Sequence, residues 1–300
     1  MQIGIIGLGK MGANIAKRLI EKGKKVVVYN RTQEKVTQLS REGAVAANSY
    51  ENLISKLQSP KILWLMLPAG EVTENALDKL SELLNEGDII IDGANSFYKD
   101  SIVRGEKLSK KNIHFLDIGV SGGILGLETG YCIMAGGNKL VFDYIKPIMD
   151  SLCVDGGYLY CGGSGAGHFI KMVHNGIEYA LMQAYGEGFE IIKNSKYQDD
   201  VKLEEVAHLW NRGSVIRSWL LELLEDVLSD EKYLETIEGS VSDSGEGRWV
   251  VKEAVDLEVP VPTIAESLFK RFRSRQKDAY SDKILAALRN KFGGHDVKKR

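Results

Sequence analysis

Short apolar runs alternate with amphipathic helical patterns through the first half of the chain. The runs are five to seven residues long, and they occupy residues 2–6, 25–29, 61–67, 88–92 and 113–118. Helical patterns are found at residues 13–22 and 72–84, and two further short strands are predicted at 131–135 and 157–161. Strands that alternate with helices predict an α/β fold, a parallel, doubly wound sheet with helices on its faces.

The second half of the chain carries helical patterns. The glycine cluster at residues 162–165 marks a boundary, and Ser164 within it is a suitable N-cap for the helix that follows. We therefore expect an α/β domain over residues 1–163 and an all-α domain over residues 164–300. The first helix of the second domain runs to about Lys193, which is longer than an ordinary globular helix. Further helices are predicted at 203–211, 214–228, 247–256, 262–274 and 280–291.

The long helix has a narrow polar arc, which spans roughly 100° at about 100° per residue. The arc holds Lys171, His174, Asn175 and Glu178, and Tyr179 lies at its edge. The opposite side is an apolar stripe of Ile170, Val173, Ile177, Ala180, Leu181 and Ala184, which predicts a face packed into a core. Lys171 and Glu178 lie about 10 Å apart along the axis, so a base and an acid can converge on one small substrate. Taken alone, the same arc also fits an ordinary solvated face.

The first strand and the first helix are joined by the turn Gly7-Leu8-Gly9-Lys10-Met11-Gly12. A GxGxxG turn between a strand and a helix, with a second strand soon after, is typical of Rossmann-type dinucleotide-binding domains. The first glycine allows a tight turn, the second allows the pyrophosphate to approach, and the third allows close packing of helix and strand. The phosphates then lie at the amino end of a helix, where N–H groups favour anions. The alternative is a purely structural glycine turn.

The residues after the second strand indicate which dinucleotide binds. NAD sites usually carry Asp or Glu there, whereas this chain has Asn30, Arg31 and Thr32. Arg31 can pair with a 2′-phosphate or stack on the adenine, which favours NADP over NAD. Alternatively, Arg31 only begins the next helix on the surface. The expected cofactor-binding set is Gly7, Leu8, Gly9, Lys10, Met11, Gly12, Asn30, Arg31, Thr32, Leu67 and Asn95.

Two polar segments that contain glycine follow later strands, at residues 92–96 and 117–123. Ligands of doubly wound sheets bind beyond the carboxyl ends of the strands. Asn95 and Ser121 offer neutral hydrogen-bonding groups there, and Gly122 and Gly123 allow close backbone approach. Each segment alone fits a plain loop, but together they favour a ligand site on one sheet edge.

Composition and charge exclude several classes of protein. A net charge of −2 argues against nonspecific nucleic-acid binding, which needs a basic surface. Cys132, Cys153 and Cys161 have no metal-ligand spacing, so we expect buried, reduced thiols and no metal site. The first apolar run opens directly into the glycine turn, and no apolar stretch approaches the roughly 20 residues of a membrane span. We therefore expect a cytoplasmic protein with no signal peptide, membrane or nucleic-acid partner.

Taken together, these residues resemble 6-phosphogluconate dehydrogenase, the decarboxylating enzyme of the oxidative pentose phosphate pathway. The resemblance runs from residue 1 to about residue 296. Its specific markers are IDGANS at 91–96, LDIGVSGG at 116–123, GHFIKMVHNGIEY at 167–179 and RNKFGGH at 289–295. Long members of the family carry a duplicated helical domain, and this chain resembles the short, single-repeat branch.

The resemblance implies that Lys171 is the general base and Glu178 the general acid, and that the helical domain binds substrate and mediates oligomerisation. The carboxylate and hydroxyls of 6-phosphogluconate would contact Asn95, Ser121, Gly122, Gly123, His174 and Asn175. The phosphate would contact Tyr179, Arg217 and Arg248. Family members usually have lysine at the position of Arg248, which keeps the charge but changes the geometry. Arg289 and His295 would reach the site of a neighbouring subunit in a homodimer or larger homo-oligomer.

Two rival functions remain open at this point. A β-hydroxyacid dehydrogenase shares a similar fold and a catalytic lysine, but it needs neither the phosphate-binding arginines nor an acid at Glu178. An NADP-binding module without catalytic activity is the second rival, and the presence of both Lys171 and Glu178 argues against it.

Overall fold

The computed structural model describes residues 1–299, and within them the first half of the chain forms one eight-stranded sheet covered by helices. The strands are β1 (Gln2–Ile6), β2 (Lys25–Tyr29), β3 (Val45–Ala46), β4 (Ile62–Leu65), β5 (Ile89–Asp92), β6 (His114–Ser121), β7 (Tyr131–Gly137) and β8 (Cys153–Gly162). The helices are α1 (Lys10–Glu21), α2 (Gln33–Arg41), α3 (Tyr50–Ser55), α4 (Glu71–Leu83), α5 (Tyr98–Ser109), α6 (Gly126–Thr129) and α7 (Lys139–Leu152). The strand order is β3-β2-β1-β4-β5-β6-β7-β8, in which β6 and β7 run antiparallel and the other neighbours run parallel. The predicted Rossmann-type sheet is confirmed.

The central strands are apolar on both sides, which is why helices cover both faces of the sheet. All four residues of β4 are buried, as are all four of β5. Parallel strands enclosed in this way read as continuous apolar runs. One core cluster packs α1, α2 and α7 onto the sheet, and a second packs α3, α4 and α5.

The rest of the chain is helical, as predicted. Its helices are α8 (Ala166–Lys193), α9 (Leu203–Trp210), α10 (Trp219–Ser229), α11 (Glu231–Glu235), α12 (Glu246–Asp256), α13 (Pro262–Ser274) and α14 (Tyr280–Gly293). The chain divides into two compact units, Met1–His174 and a second unit that begins at Asn175, so the division falls inside α8. Helix α10 begins later than predicted because the Ser218 side chain accepts a hydrogen bond from the Leu221 N–H and caps it there. Within residues 1–299, no helix is both long and apolar enough to cross a membrane.

Helix α8 buries the opposite face from the one that its sequence predicts. The most buried members of the polar arc and its edge are Lys171, Asn175 and Tyr179, at 5–7% exposure. Three members of the apolar stripe are 42–50% exposed, namely Ile170, Ile177 and Leu181. The prediction that this stripe packs into a core is therefore wrong for the single chain. In the first unit the reason is Gly119 of β6, whose missing side chain leaves room for the stem of Lys171.

The cysteines also differ from expectation. Cys153 is buried, but Cys161 is only partly buried and Cys132 is exposed. Cys132 lies between the buried residues Tyr131 and Ile133 of β7, and alternate residues of a strand point to opposite faces. The expectation of three buried thiols is therefore wrong for Cys132.

Candidate active site

The turn between β1 and α1 has the geometry of a phosphate-binding turn. Gly7 has φ +97°, and a Cβ there would overlap the Met66 carbonyl. A Cβ at Gly12 would overlap the Gly7 carbonyl, whereas one at Gly9 would meet no atom within 4 Å. The first turn of α1 has no acidic residue and no side-chain cap. An open backbone position next to an uncapped helix start fits the pyrophosphate of a dinucleotide.

Asn30 ties this turn to the end of β2. Its Oδ1 accepts a hydrogen bond from the Leu8 N–H at 3.0 Å, and its Nδ2 donates to the Thr32 carbonyl at 3.1 Å. Arg31 and Thr32 are exposed beside it. Asn30 therefore shapes the turn, and Arg31 is an exposed cation directly after it.

The remaining predicted cofactor residues line the same region. Leu8 is buried, Lys10 is exposed at the start of α1, and Met11 packs against the first core cluster. Leu67, just after β4, packs against the second cluster, and its side chain lies 3.1 Å from where a Cβ of Gly7 would be.

The loop after β5 is held by a buried carboxylate. Asp92 Oδ2 accepts hydrogen bonds from Ser96 Oγ at 2.8 Å and from Arg104 Nη1 at 2.7 Å. Its Oδ1 accepts a bond from the Ala94 N–H at 3.2 Å. Asn95, at the tip of this loop, is exposed while its neighbours are buried. The loop thus presents the Asn95 amide from a rigid base.

A row of polar groups joins β6 to α8 within the first unit. Ser121 Oγ lies 3.2 Å from His174 Nε2, and His174 Nδ1 lies 3.5 Å from Lys171 Nζ. If the lysine donates to Nδ1, the proton of His174 is on Nε2 and points to Ser121. The loop that follows contains Gly122 and Gly123, with φ +129° and +55°. These are glycine conformations, as the predicted close backbone approach requires.

Tyr179 is enclosed in the second unit. Its hydroxyl accepts a hydrogen bond from the Ser244 N–H at 3.2 Å, and a Cβ on Gly247 would lie 2.6 Å from its ring. The Arg271 guanidinium lies over the ring, 3.4 Å from its centroid. This stacking places a cation on the face of the tyrosine ring.

Arg248 is paired rather than loose on the surface. Its Nε and Nη2 donate to the two oxygens of Asp243 at 2.7 and 3.0 Å, and Arg275 donates to the same carboxylate at 3.1 Å. Bonding to Arg248, with Arg275 adding to it, holds the pKa of Asp243 below its usual range. The hydrogen bond to Asp243 also raises the pKa of Arg248. Two guanidinium groups share one carboxylate, which leaves excess positive charge.

Sequence reasoning missed Arg271 and Arg275. The available signal was the basic run at the end of α13, where Lys270, Arg271, Arg273 and Arg275 follow one another closely. Nothing in the run distinguishes a guanidinium that stacks on Tyr179 from one that faces solvent. That distinction needs the fold.

The other predicted residues lie on α8, before α10, and on and after α14. Asn175 is buried and Glu178 is partly buried on α8. Arg217 is exposed in the segment before α10, and Arg289 and His295 are exposed on and after α14. Across the described chain, no hydrogen bond or ion pair joins the side chains of Arg217, Arg289 or His295 to Tyr179 or Arg248.

Comparisons with known proteins cover nearly the whole chain. The NAD binding domain of 6-phosphogluconate dehydrogenase matches residues 2–162, and the C-terminal domain of 6-phosphogluconate dehydrogenase matches residues 167–299. YqeC of Bacillus subtilis is 46% identical over the full length of both chains. The NAD(+)-dependent, decarboxylating 6-phosphogluconate dehydrogenase of Haloferax volcanii is 42% identical, over 100% of this chain and 99% of its own. Among solved structures, a Plasmodium falciparum 6-phosphogluconate dehydrogenase is 30% identical, with a TM-score of 0.85. The match covers 100% of this chain and 66% of that one, and the structures of that enzyme include complexes with NADP+ and 6-phosphogluconate.

Proposed function

The chain belongs to the 6-phosphogluconate dehydrogenase family, and we propose that it converts 6-phosphogluconate to ribulose 5-phosphate and CO2 while reducing NADP. This reaction would serve the oxidative pentose phosphate pathway and gluconate utilization in the cytoplasm. The observation that carries the proposal is the buried Lys171, which stands in a row with His174 and Ser121. An amine shielded from water beside a loop of hydrogen-bonding groups suits proton abstraction from a bound hydroxyl.

We propose Lys171 as the general base and Glu178 as the general acid. Lys171 takes the proton of the 3-hydroxyl as the hydride leaves C3. NADP, bound at the glycine turn, supplies the acceptor for that hydride. Protonated Lys171 then polarises the new carbonyl, so that CO2 departs and an enediol forms. Glu178, seven residues further along α8, protonates C1 of the enediol, while Lys171 takes the enediol hydroxyl proton so that the ketone forms.

The remaining site residues bind the substrate in this proposal. The carboxylate and hydroxyls contact Asn95, Ser121, Gly122, Gly123, His174 and Asn175. The phosphate contacts Tyr179, Arg217 and Arg248. We add Arg271, because its guanidinium lies over the Tyr179 ring and keeps N–H groups for a phosphate beyond the one that Nη1 donates to the Ser242 carbonyl.

We propose NADP rather than NAD as the preferred cofactor. Arg31 is exposed after β2, and no carboxylate follows that strand directly to repel a 2′-phosphate. Relatives of both kinds exist, since the Haloferax volcanii enzyme is NAD(+)-dependent and the Plasmodium falciparum enzyme was studied with NADP+. The rate with each cofactor therefore decides the question.

We also propose that the active form is a homodimer or a larger homo-oligomer. Helix α14 carries Arg289 and buries none of its residues within the single chain. Its exposed apolar side chains are Tyr280, Ile284, Leu285, Leu288 and Phe292. Such a helix is stabilised by covering its apolar side, which a second copy of the chain can do.

The direct test is a rate comparison with purified protein. With 6-phosphogluconate we expect NADPH formation coupled to release of one CO2 per turnover, and slower turnover with NAD. Assays with 3-hydroxyisobutyrate test the β-hydroxyacid dehydrogenase alternative. Equal activity with both acids, or none with either, would contradict the proposal.

Replacement of the base tests its assigned role. Lys171→Met keeps the stem but removes the amine, so we expect turnover to be lost while NADPH binding, followed by fluorescence, is retained. Lys193→Met, at the exposed end of the same helix, is the matched control and should keep the wild-type rate. Substantial turnover by Lys171→Met would place the base elsewhere.

A further inference from the structure

Three alternate residues of β6 meet three residues of α8 that are spaced by one turn. Asp117, Gly119 and Ser121 lie on one face of β6, because side chains of a strand alternate between faces. The residues opposite them on α8 are His168, Lys171 and His174. Every member of this arrangement belongs to the first compact unit.

Asp117 holds the first turn of α8. Its side chain is fully buried, Oδ1 accepts a hydrogen bond from the Gly165 N–H at 2.7 Å, and Oδ2 accepts one from the His168 N–H at 2.9 Å. Among the residues that the structure describes, no lysine or arginine forms an ion pair with this carboxylate. N–H groups at a helix start stabilise an anion, and Asp117 in turn satisfies N–H groups that the helix leaves unpaired.

The side chain of His168 adds a second anchor. His168 is 2% exposed, and its Nδ1 lies 2.7 Å from Ser101 Oγ on α5. The first turn of α8 is therefore attached to β6 through backbone N–H groups and to α5 through an imidazole.

Glycines set the distance between α8 and the sheet. A Cβ at Gly119 would overlap Lys171 Cβ and lie 2.8 Å from its Cγ. A Cβ at Gly167 would lie 2.6 Å from the Met134 carbonyl, and one at Gly136 would lie 2.6 Å from Asp117 Oδ1. Any larger residue at these positions must move the helix or the strand. The stem of Lys171 thus occupies space that only a glycine at 119 leaves open.

We propose that Asp117 and Gly119 are positioning residues for Lys171: Asp117 holds the first turn of α8 in place, and Gly119 seats the lysine stem against β6. The inference rests on the proposed function, in which Lys171 is the base. Neither residue touches the reacting atoms. Each acts by fixing the position of the Lys171 amine. A displacement of about 1 Å at a reacting group can lower a rate about 100-fold.

Two substitutions test the proposal. Asp117→Asn keeps the shape but replaces one acceptor oxygen with an N–H2 group that faces an N–H donor. Gly119→Ala adds a methyl group where the Lys171 stem lies. We expect kcat with 6-phosphogluconate to fall about tenfold or more for Asp117→Asn and about 100-fold for Gly119→Ala. The NADPH dissociation constant should stay within about twofold of wild type, because the glycine turn is untouched.

The kinetic isotope effect separates positioning from loss of folded protein. With 6-phosphogluconate deuterated at C3, a misplaced base slows the chemical step, so the isotope effect on kcat should rise in both variants. A smaller fraction of folded enzyme lowers the rate but leaves the isotope effect unchanged. Gly163→Ala is the matched control, since a Cβ there meets no atom within 4 Å. It should match wild type in both rate and isotope effect.

Hydrogen exchange supplies a readout that needs no substrate. At least one of the Gly165 and His168 amides should exchange faster in Asp117→Asn than in wild type, because asparagine keeps only one acceptor oxygen for the two N–H groups. Wild-type kcat and isotope effect in both variants would overturn the proposal while leaving the proposed function intact. An inactive wild type would instead refute the proposed function. In that case unchanged exchange at these two amides overturns the role of Asp117 in holding the first turn of α8. If Gly119→Ala does not fold, the measurements on Asp117→Asn alone decide the proposal.

Discussion

At the scale of single residues, Arg31 is the side chain on which the proposed preference for NADP rests. Both ends of the neighbouring Asn30 amide are already used, by the Leu8 N–H and the Thr32 carbonyl. We expect Arg31→Ala to raise the KM for NADP about tenfold, which corresponds to about 1.4 kcal/mol. The KM for NAD should change little, because NAD has no 2′-phosphate. Arg41→Ala, at the exposed end of α2, is the control, and an equal change for both cofactors would remove Arg31 from this role.

The cysteines of β7 and β8 give a second prediction at this scale. Burial raises the pKa of the Cys153 thiol to about 12, whereas Cys132 is exposed. Because a thiolate is the reactive form, iodoacetamide at mildly alkaline pH should modify Cys132 and spare Cys153 in the folded protein. Peptide mass spectrometry measures both sites, and unfolded protein is the control in which both react. Equal labelling of the folded protein would show that Cys153 is open to solvent.

The raised pKa of the Cys153 thiol also determines the direction in which stability changes with pH. The pKa of Cys153 is higher in the folded state than its ordinary 9.0. The neutral thiol therefore contributes stability that is complete below pH 9.0 and is lost as the pH rises toward about 12. Over that range, wild type should lose stability relative to Cys153→Ala.

At the scale of elements, α5 carries one buried and one exposed cation, each paired with carboxylates. Arg104 is 1% exposed and donates to Asp92 at 2.7 Å and to Glu74 at 2.6 Å. One turn later, Lys107 pairs with Asp78 with both side chains more than half exposed. We expect Arg104→Met to lower the free energy of unfolding by about 3–5 kcal/mol, because it leaves the Asp92 charge buried and unpaired. Lys107→Met, the matched control, should be close to wild type in urea unfolding, and similar losses for both would contradict this account.

The sequence predicts elements well where local patterns determine them. The runs 2–6 and 25–29 match β1 and β2, and the span 262–274 matches α13. It predicts packing poorly where distant residues decide it. The apolar stripe of α8 was expected inside a core, yet Gly119 on β6 seats Lys171 instead. A glycine 52 residues earlier in the chain carries no sign of that contact, so the role of the first turn of α8 is visible only in the fold.

The candidate site shows the same division between local and long-range information. The glycine turn at residues 7–12 was predicted from its spacing, and the resemblance led to the proposal of Lys171 on α8 as the base. Arg271 was not found, since a basic run on α13 does not reveal which guanidinium lies over Tyr179. The ion pair between Arg248 and Asp243 was also not predictable. It depends on how the side chain of Arg248, in the first turn of α12, meets the side chain of Asp243, which precedes that helix.

At the scale of the whole molecule, two helices within residues 1–299 carry groups of exposed apolar side chains. One is the α8 stripe, where Ile170, Ile177 and Leu181 are exposed, and the other is α14. Exposed apolar side chains on two helices favour contact with a second copy of the chain. Because α14 also carries Arg289, assembly and catalysis are expected to depend on the same segment.

Subunit mixing tests whether Arg289 acts in the site of a neighbouring subunit. Lys171→Met and Arg289→Ala should each be nearly inactive as pure proteins. In a hybrid dimer, one site receives Lys171 from one chain and Arg289 from the other, so it is intact if Arg289 acts across the interface. An equal mixture, refolded together, should then recover about a quarter of wild-type activity, because about half of the dimers are hybrids with one intact site of two. Mixing Lys171→Met with Glu178→Gln is the control without recovery, since both residues lie on α8 of the same chain. If the Arg289→Ala mixture also recovers nothing while hybrids are detected by native mass spectrometry, Arg289 serves its own subunit.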